Sequence, residues 1–349
     1  RWLYLPMDVK VRELEGKAFF AACAAARGWN VVVGQKKQVA AVMARLPCGF
    51  FSGFGGQENF AGQYRRLKDL GHRILIFDEE GLVTHNEDIY ARTKLCPETL
   101  ALCDLYAVWG AVQKDMVLRR RPELEGRIVI SGSPRMDVTR PAFSALRAGE
   151  VDKIRARFGR FILFNSNFGS SNHFTGAEAY LESLWAKKIV QSETEADYYR
   201  RYSEYRDRVM QGIVAVLPTL SAAFSDMNII VRPHPAERAD AWKEAAAGLG
   251  NVHVLHEGSV LPWIAAAQCV LHNFCTTAVE SYALGVPAVS YRPVIDDTLE
   301  TPLPTLVSHV AQTPDALVAM LRRVIDEKLP SPADAAQVRV ARIPIDAGG

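Results

Sequence analysis

Short apolar segments alternate with longer amphipathic ones along the whole chain, and this alternation constrains the fold more than any other feature. The first cycle, WLYLP, VRELEGKAFFAACAAARG and NVVVG, predicts a strand, a helix ended by Gly28 and a second strand. The alternation continues through HRILIFDEEG, DLYAVWG, a helix from Ala111 to about Arg121, and RIVISGSPRMD. Strands that alternate with helices predict a parallel, doubly wound sheet, so the expected class is α/β.

The pattern starts again near residue 150. FILFNSN opens a second set of strands, which continues with NIIVRPHP, VHVLHEG, AQCVLHNF and PAVSYRP, and a mostly helical insertion fills Gly176 to Phe224. The chain has 349 residues, more than the roughly 100–200 of an ordinary domain. We therefore predict two Rossmann-like domains that face a central cleft, over residues 1–150 and 151–330, and a tail or crossing segment over 331–349. The boundary is expected between Pro141 and Arg160.

Composition excludes several classes of protein. Apolar residues make up 49% of the chain and charged residues 23%, which is enough to bury a sizeable core. A net charge of +2 argues against a nucleic-acid partner bound through overall basicity. No apolar run approaches the roughly 18–20 residues of a membrane span, so we expect a cytoplasmic protein, with attachment to the inner face of the cytoplasmic membrane left open. The six cysteines lack metal-ligand spacing and are expected to be reduced thiols.

Polar residues are concentrated where the predicted strands end, and ligands of open parallel sheets bind beyond those ends. His234 lies between Pro233 and Pro235 directly after a strand, so its ring is held rigidly and is expected to face the cleft. With Arg232 beside it, this imidazole suits a phosphate oxygen. The alternative is a histidine whose ring is satisfied by backbone carbonyls within a turn. The end of the preceding strand supplies Asn165 and Ser166.

The stretch HNFCTTAVESYALGVP contains a strand end followed by a helix. Thr276 and Thr277 are predicted to cap this helix, whose free N–H groups suit a nucleotide phosphate, while Glu280 can accept from ribose hydroxyls. A plain N-cap is compatible with this reading. GSPRMD ends another strand, and with Ser133 and Arg135 it is a weaker candidate for contacts to the base or phosphate.

Three successive carboxylates, Asp78, Glu79 and Glu80, precede Gly81 at a strand end. At least one is expected to face the cleft, where it could deprotonate an acceptor hydroxyl or attack an anomeric carbon. A solvated acidic loop is the alternative. In extended backbone, Glu79 should point away from Asp78 and Glu80.

Together these motifs carry a resemblance. YLPMDVKVRELEGK, DEEG, SGSPRMD, FNSNFGSSNH, RPHP and TTAVESYALGVP resemble the bacterial surface carbohydrate biosynthesis protein family. The likeness spans Leu3 to about Pro293 and extends, more distantly, to GT-B glycosyltransferases that use CMP-activated ulosonic acids, namely Kdo transferases and bacterial sialyltransferases.

The resemblance implies roles for particular residues. In the sialyltransferases a D/E-D/E-G motif supplies the base and an H-P motif holds the CMP phosphate. These positions match Glu79, Glu80 and Gly81 here, and His234 and Pro235; a Ser or Thr pair near the phosphate matches Thr276 and Thr277. Asp78 adds a third carboxylate, which leaves the catalytic one open. Stereochemistry does not follow from the motifs.

The function that the resemblance implies is transfer of an ulosonic acid, Kdo or a sialic-acid-like sugar, from a CMP-sugar to a hydroxyl of a free or lipid-linked surface glycan. Lys10 and Arg12 are candidates to pair with the sugar carboxylate, and the alternative is that they are solvated residues at a helix start. Asn167 belongs to the segment NFGSSNH, which is expected to be a mobile loop that closes over donor or acceptor; an ordinary surface loop is the alternative. No metal or other cofactor is expected, because CMP is a monophosphate leaving group and no D-x-D pair is evident. The alternatives are a UDP-GlcNAc 2-epimerase-like or CDP-glycerol-type enzyme and a non-catalytic nucleotide-sugar-binding subunit.

Overall fold

A computed structural model describes residues 1–79, 81 and 87–332. The chain divides into two compact units, the first from Arg1 to Arg140 and the second from Pro141 onwards. The candidate residue Glu80 and most of the predicted 331–349 tail lie outside the described residues.

The first unit is an α/β unit with strands connected through helices. Its strands are β1 (Trp2–Met7), β2 (Asn30–Gln35), β3 (Phe50–Gly53), β4 (Arg73–Phe77), β5 (Leu105–Val108) and β6 (Ile128–Ile130). Its helices are α1 (Lys10–Ala25), α2 (Lys36–Val42), α3 (Ala61–Asp69), α4 (Glu87–Lys94), α5 (Pro97–Ala101), α6 (Ala111–Arg120) and α7 (Pro134–Asp137). Every strand pairing is parallel, and the order is β2-β1-β3-β4-β5-β6. The direction of winding therefore reverses between β1 and β3.

The second unit repeats this architecture with a different strand order. Its strands are β7 (Phe161–Asn165), β8 (Asn228–Arg232), β9 (Val252–Val254), β10 (Cys269–His272), β11 (Ala288–Tyr291) and β12 (His309–Ala311). Its helices are α8 (Ala148–Phe158), α9 (Ala177–Ala186), α10 (Glu193–Ala223), α11 (Ala239–Ala245), α12 (Val260–Ala266), α13 (Thr277–Ala283), α14 (Pro302–Leu306) and α15 (Pro314–Asp326). The parallel order β12-β11-β10-β7-β8-β9 is that of a Rossmann sheet, with winding reversed between β7 and β10.

The predicted fold class, α/β with two Rossmann-like domains, is confirmed. The predicted strands are present, and the insertion after β7 consists of α9 and the 31-residue α10. Strand β12 and helix α15 complete the second unit and were not predicted. The six cysteines are unpaired; Cys103, Cys269 and Cys275 are buried, and Cys48 is exposed. Across the described ranges, no helix is both long and apolar enough to cross a bilayer.

Apolar strand residues bury both faces of the second sheet. One face packs Phe164, Ile229 and Leu271 against helices α10, α11 and α15, and the other packs Leu163, Ile230 and further strand residues against Trp263 and its neighbours on α8 and α12. Because helices cover both faces of this sheet, polar side chains lie mainly at the carboxyl ends of its strands.

Two helical glycines of the first unit have opposite surroundings, which gives a test of packing. A Cβ on Gly16 of α1 would lie 2.8 Å from the backbone nitrogen of Arg135, whereas a Cβ on Gly62 of α3 would meet no atom within 4 Å. We expect Gly16→Ala to lower the free energy of unfolding by about 1–3 kcal/mol, because backbone must shift. Gly62→Ala should instead raise it by roughly 0.5–1 kcal/mol. Urea unfolding followed by circular dichroism measures both; equal effects would contradict the close approach of α1 and α7.

Candidate functional site

The acidic loop of the first unit follows β4, and its first carboxylate is buried. Asp78 is 1% exposed and accepts a hydrogen bond of 2.7 Å from the Tyr90 hydroxyl. Its Oδ1 lies 3.7 Å from Lys94 Nζ, and its carbonyl accepts from the indole N–H of Trp109. Burial and the nearby Asp78 charge raise the pKa of Tyr90, so the phenol stays a donor. These contacts make Asp78 a residue that fixes the loop.

Glu79 is directed to a different helix from Asp78. Its carboxylate lies 3.3 Å from Lys17 Nζ on α1, and its side chain keeps 24% of its surface exposed. Desolvation raises the pKa of Glu79 above its ordinary value. The Glu13 charge raises it further, and the Lys17 charge lowers it in part. A partly exposed carboxyl whose proton affinity is raised is better suited to accept a proton from a substrate than an ordinary surface carboxylate. Between the two described acids of the loop, the geometry therefore favours Glu79.

Lys17 is held by groups that the sequence analysis missed. Its ammonium donates to the carbonyl of Pro6 and lies 2.8 Å from Glu13, whose carboxylate accepts from the backbone N–H groups of Asp8 and Val9 at the start of α1. Both Lys17 and Glu13 are less than 9% exposed. The i,i+4 spacing of Glu13 and Lys17 was a visible signal, but such pairs usually lie on a solvated helix face.

A pocket of about 190 Å³ opens beside Glu79 at the carboxyl ends of the strands in the first unit. Four cationic side chains line it together with Asp78 and Glu79: Arg12, Lys36, Lys94 and Arg135. Lys36 Nζ lies 4.6 Å from the Phe54 ring centroid and 4.9 Å from that of Phe60. The structure thus brings Arg12 to this pocket, while Lys10 is exposed at the first position of α1 and is not among the lining residues.

Ser133 and Arg135 belong to the first unit, although the sequence analysis grouped them with nucleotide contacts. Ser133 is fully buried at the start of α7, and Arg135 is half-buried beside Glu79. The close packing of Gly16 against α7 positions Arg135, which lowers the proton affinity of Glu79 slightly.

In the second unit a buried carboxylate organises the ends of β7 and β8. Glu237 accepts from Ser166 Oγ at 2.8 Å, from the backbone N–H of Phe168 at 2.7 Å and from the indole of Trp242 at 2.8 Å. It also accepts from the backbone N–H of His234 at 3.3 Å. Four donors from three segments of the chain therefore converge on one side chain, which the sequence analysis did not single out.

The His234 ring is oriented by its own turn. Its Nδ1 accepts from the backbone N–H of Ala236 at 3.1 Å, so the neutral ring carries its proton on Nε2. The ring is half-buried and the following Pro235 is exposed. One ring nitrogen is satisfied by backbone, as the turn alternative supposed, but by an N–H and not by a carbonyl. In this tautomer Nε2 carries the hydrogen that a contact to a phosphate oxygen needs.

The structure corrects the predicted role of Arg232. Its guanidinium is 4% exposed, donates to the carbonyls of Glu257 and Gly258, and lies 5.0 Å from the ring centroid of Trp263. Burial lowers its pKa to about 10. Arg232 is the last residue of β8, so its side chain turns into the sheet face and holds the β9–α12 loop instead of a ligand.

The predicted cap of α13 is also corrected. Thr276 adopts helical dihedral angles and makes no side-chain capping hydrogen bond, because the helical turn already begins before it. At seven residues α13 is short, and Thr277 is its first residue. Glu280 is 2% exposed, so its carboxylate lies in the interior of the second unit.

Four buried side-chain polar atoms that lack a hydrogen-bond partner in the described chain lie where the winding reverses, between β7 and β10. Asn165 pairs with His272 across these strands. Asn165 Nδ2 and both polar side-chain atoms of Asn273 are buried without a protein hydrogen-bond partner in the described chain. His272 Nε2 donates to Ser308, whose hydroxyl donates to Pro304, and burial lowers the pKa of His272 to about 3. Asn273 was missed by sequence reasoning, although it lies in the motif HNF at a strand end.

The segment 167–173, predicted to be a mobile loop, is anchored. Phe168 is fully buried in the core, and Asn172 donates to the carbonyl of Arg238 at 3.0 Å. Asn167 remains half-buried between these anchors. A substrate-closing movement of the whole loop would have to extract Phe168, which corrects the expectation.

The described ranges contain no grouping of three His, Cys, Asp or Glu side chains able to hold a metal ion.

Comparisons with known proteins give structural likeness only. No protein-family model matches the chain. No curated protein matches it either. Among solved structures, a candidate UDP-N-acetylglucosamine 2-epimerase from Listeria monocytogenes is 12% identical, with a TM-score of 0.59 over 97% of this chain and 90% of that one. The UDP-GlcNAc 2-epimerase from Methanocaldococcus jannaschii is 10% identical, with a TM-score of 0.57 over 93% and 92%.

A third similar structure is the wall teichoic acid polymerase TagF, which is 11% identical with a TM-score of 0.53 over 93% of this chain and 79% of that one. At these identities the likeness establishes the two-domain Rossmann-like fold of GT-B type.

The Glu237 cluster yields a stability prediction. In Glu237→Gln an amide nitrogen replaces one accepting oxygen and leaves a buried donor unpaired, so the free energy of unfolding should fall by about 2–4 kcal/mol. The control is Glu257→Gln, whose carboxylate is 52% exposed and pairs only with Arg157 at the surface; its effect should stay below about 1 kcal/mol. Denaturant unfolding followed by tryptophan fluorescence compares them, and a Glu237 variant as stable as the control would refute the cluster's role.

Proposed function

We propose that the protein is an enzyme acting on a nucleotide-activated sugar or polyol in bacterial surface polysaccharide biosynthesis, of the UDP-GlcNAc 2-epimerase or CDP-glycerol-transfer kind. The observation that carries the proposal is the set of buried polar atoms without protein partners at the β7/β10 reversal. Such atoms cost free energy unless a ligand or ordered water pairs with them. Nucleotide ligands of Rossmann sheets bind at this reversal.

Roles for the second unit follow from its strand ends. Asn165 and Asn273 offer amide donors and acceptors to a nucleotide, and His234 offers Nε2–H to a phosphate oxygen. Ser166 acts through Glu237, because its hydroxyl donates to that carboxylate and accepts from the His234 backbone N–H. The similar structures include proteins whose names specify UDP-GlcNAc and wall teichoic acid polymerisation, and these names favour a UDP or CDP conjugate.

The first unit supplies the proton-transfer group in this proposal. Glu79 has a raised pKa, reaches a pocket and is held by Lys17. A carboxylate of this kind removes the proton from carbon in an epimerisation or from an acceptor hydroxyl in a transfer reaction. Its presence supports an enzyme over a non-catalytic binding subunit.

Transfer of an ulosonic acid from a CMP-sugar is a second candidate, favoured by one observation. The pocket beside Glu79 is lined by Arg12 and Arg135, two guanidinium groups that suit the carboxylate such a sugar carries. With a neutral sugar such as N-acetylglucosamine they could form hydrogen bonds to hydroxyl or amide oxygens, without the charge pairing that a carboxylate supplies. The acceptor in that case would be a surface glycan, free or lipid-linked.

Nucleotide specificity distinguishes these candidates. Calorimetric titration of UDP, CDP, CMP and GDP should give the tightest binding for UDP or CDP, and preference for CMP would transfer the proposal to the second candidate. His234→Ala should weaken the preferred nucleotide roughly tenfold or more, because one charge-assisted hydrogen bond is lost. Lys243→Ala, a change of an exposed side chain on α11, is the control. Absence of binding by all four nucleotides would refute the proposed function.

Glu79→Gln should lower turnover at least about a hundredfold while nucleotide affinity stays unchanged, because the amide keeps the shape and removes the basicity. Turnover is followed by NMR with UDP-GlcNAc in D₂O, where an epimerase introduces deuterium at the inverted carbon, and with CDP-glycerol or CMP-sugars. Since the raised pKa of Glu79 governs its basic form, wild-type activity should fall as pH drops through that pKa.

Glu15→Gln, an exposed carboxylate of α1, is the control for that experiment. Full activity of Glu79→Gln would locate the base elsewhere, and Glu80→Gln would then be the next variant to measure.

A further inference from the structure

A buried guanidinium on α10 has no polar partner. Arg206 is 2% exposed, and its Nε and Nη2 atoms make no hydrogen bond to any residue that the structure describes. Within the same residues no carboxylate forms an ion pair with it. A desolvated cation without an anion or acceptors is among the most costly features of a protein interior.

Aromatic rings surround this guanidinium and compensate only part of its cost. The ring centroids of Phe168, Tyr202 and Phe274 lie 4.9, 5.8 and 5.9 Å from the Arg206 Cζ atom. Ring faces attract a cation but offer no lone pairs in the plane of its N–H groups. The environment therefore holds the guanidinium in place and leaves its hydrogen-bonding edge unsatisfied.

Two other guanidinium groups of the unit, those of Arg292 and Arg232, have polar partners for their terminal nitrogens, although the Nε of each is buried without a hydrogen-bond partner in the described chain. Arg292, whose Cζ lies 5.9 Å from the same Phe274 ring centroid, pairs with Asp297 at 2.6 Å and with Glu300 at 2.5 Å. Arg232 donates to two backbone carbonyls. Arg206 differs from both, so its lack of a partner is a local property of its position.

That position is the reversal of winding in the second sheet. Phe168 follows β7 by three residues and Phe274 follows β10 by two, so two of the three rings around Arg206 belong to the loops that flank the reversal, and the third, Tyr202, lies on α10 itself. Asn273, with its unpartnered amide, directly precedes Phe274. Phe274 has a φ of 51°, a left-handed conformation that is strained for an aromatic residue and is characteristic of ligand sites.

We propose that Arg206 is a phosphoryl-binding residue, whose guanidinium pairs with a phosphate of a nucleoside diphosphate while Asn273 bonds the same ligand. The planar fork of N–H groups matches phosphate oxygens in bidentate fashion. Because Arg206 is almost inaccessible, one covering ring must turn aside when the anion enters, and the strained Phe274 is the residue positioned to do so. The choice of a nucleotide rests on the proposed function, whereas the requirement for an anion rests on Arg206 alone.

The proposal predicts opposite effects of one substitution on stability and on binding. In Arg206→Met an apolar side chain of similar length replaces the unpaired cation, so the melting temperature without ligand should equal or exceed that of the wild type. Affinity for inorganic pyrophosphate and for UDP should fall at least about tenfold, and the rise in melting temperature that these ligands give the wild type should be lost. Arg206→Lys, which keeps charge but not the fork, should bind with intermediate affinity.

The experiment uses the full chain, with melting by scanning fluorimetry and affinity by calorimetry for pyrophosphate, UDP, UMP and uridine. Arg232→Met is the matched control. It leaves the carbonyls of Glu257 and Gly258 without their donor and should therefore lower the melting temperature without ligand. Uridine lacks phosphate, so any affinity for it should be the same in wild type and Arg206→Met.

Three results would overturn the proposal: wild-type affinity for pyrophosphate and UDP in Arg206→Met, a melting temperature of Arg206→Met that falls as far as that of Arg232→Met, or a wild-type protein that binds none of these phosphates. Binding of pyrophosphate that depends on Arg206, without binding of any nucleotide, would support the anion site and refute the proposed function. Nucleotide binding that is insensitive to Arg206 would support the proposed function and refute the anion site at Arg206.

Discussion

The second unit depends on a single buried carboxylate. Glu237 gathers donors from the end of β7, the end of β8 and helix α11, and a carboxylate that far from water is tolerable only when its oxygens are saturated. Saturation requires Ser166, His234 and Trp242 to occupy particular positions. The His234 ring is therefore fixed twice, once through its backbone by Glu237 and once through its Nδ1 by Ala236. The orientation of its Nε2–H is a property of the fold, not of the ligand.

The two units treat buried charge in contrasting ways. In the first, Lys17 lies between Glu13 and Glu79, so each of these three charges has an opposite charge beside it. Such pairing adjusts the proton affinity of Glu79 without requiring any ligand. In the second, Asn273 and Arg206 have no protein partner within the described chain. Paired groups suit proton transfer, where the group must function in both protonation states, and unpaired groups suit binding, where a ligand completes them.

Sequence periodicity was sufficient for the fold because each strand had to be apolar on both faces and each helix amphipathic. It was also sufficient to locate polar residues at strand ends. It could not decide where individual side chains turn. Arg232 and His234 are two residues apart in one motif, yet their side chains do different things. The Arg232 guanidinium donates to the carbonyls of Glu257 and Gly258, whereas the His234 ring accepts at Nδ1 and carries its hydrogen on Nε2. From the sequence, Lys17 and Glu13 look like an ordinary helical ion pair, but in the fold Glu79 also lies beside Lys17.

The unusual position of Arg206 is visible in the periodicity of the α10 sequence. The buried residues of α10 recur at helical spacing, with Tyr205, Val209, Ile213, Val216 and Leu220 all facing the core, and Arg206 is buried within the same stripe. An apolar side chain there would continue the stripe and satisfy local and global preferences together, so the arginine is a conflict between sequence pattern and position. A conflict of this kind destabilises the folded chain in the absence of ligand. A ligand that binds only the folded state raises the free energy of unfolding and so offsets that destabilisation. The cation is thus best understood as half of an ion pair whose other half arrives with the substrate.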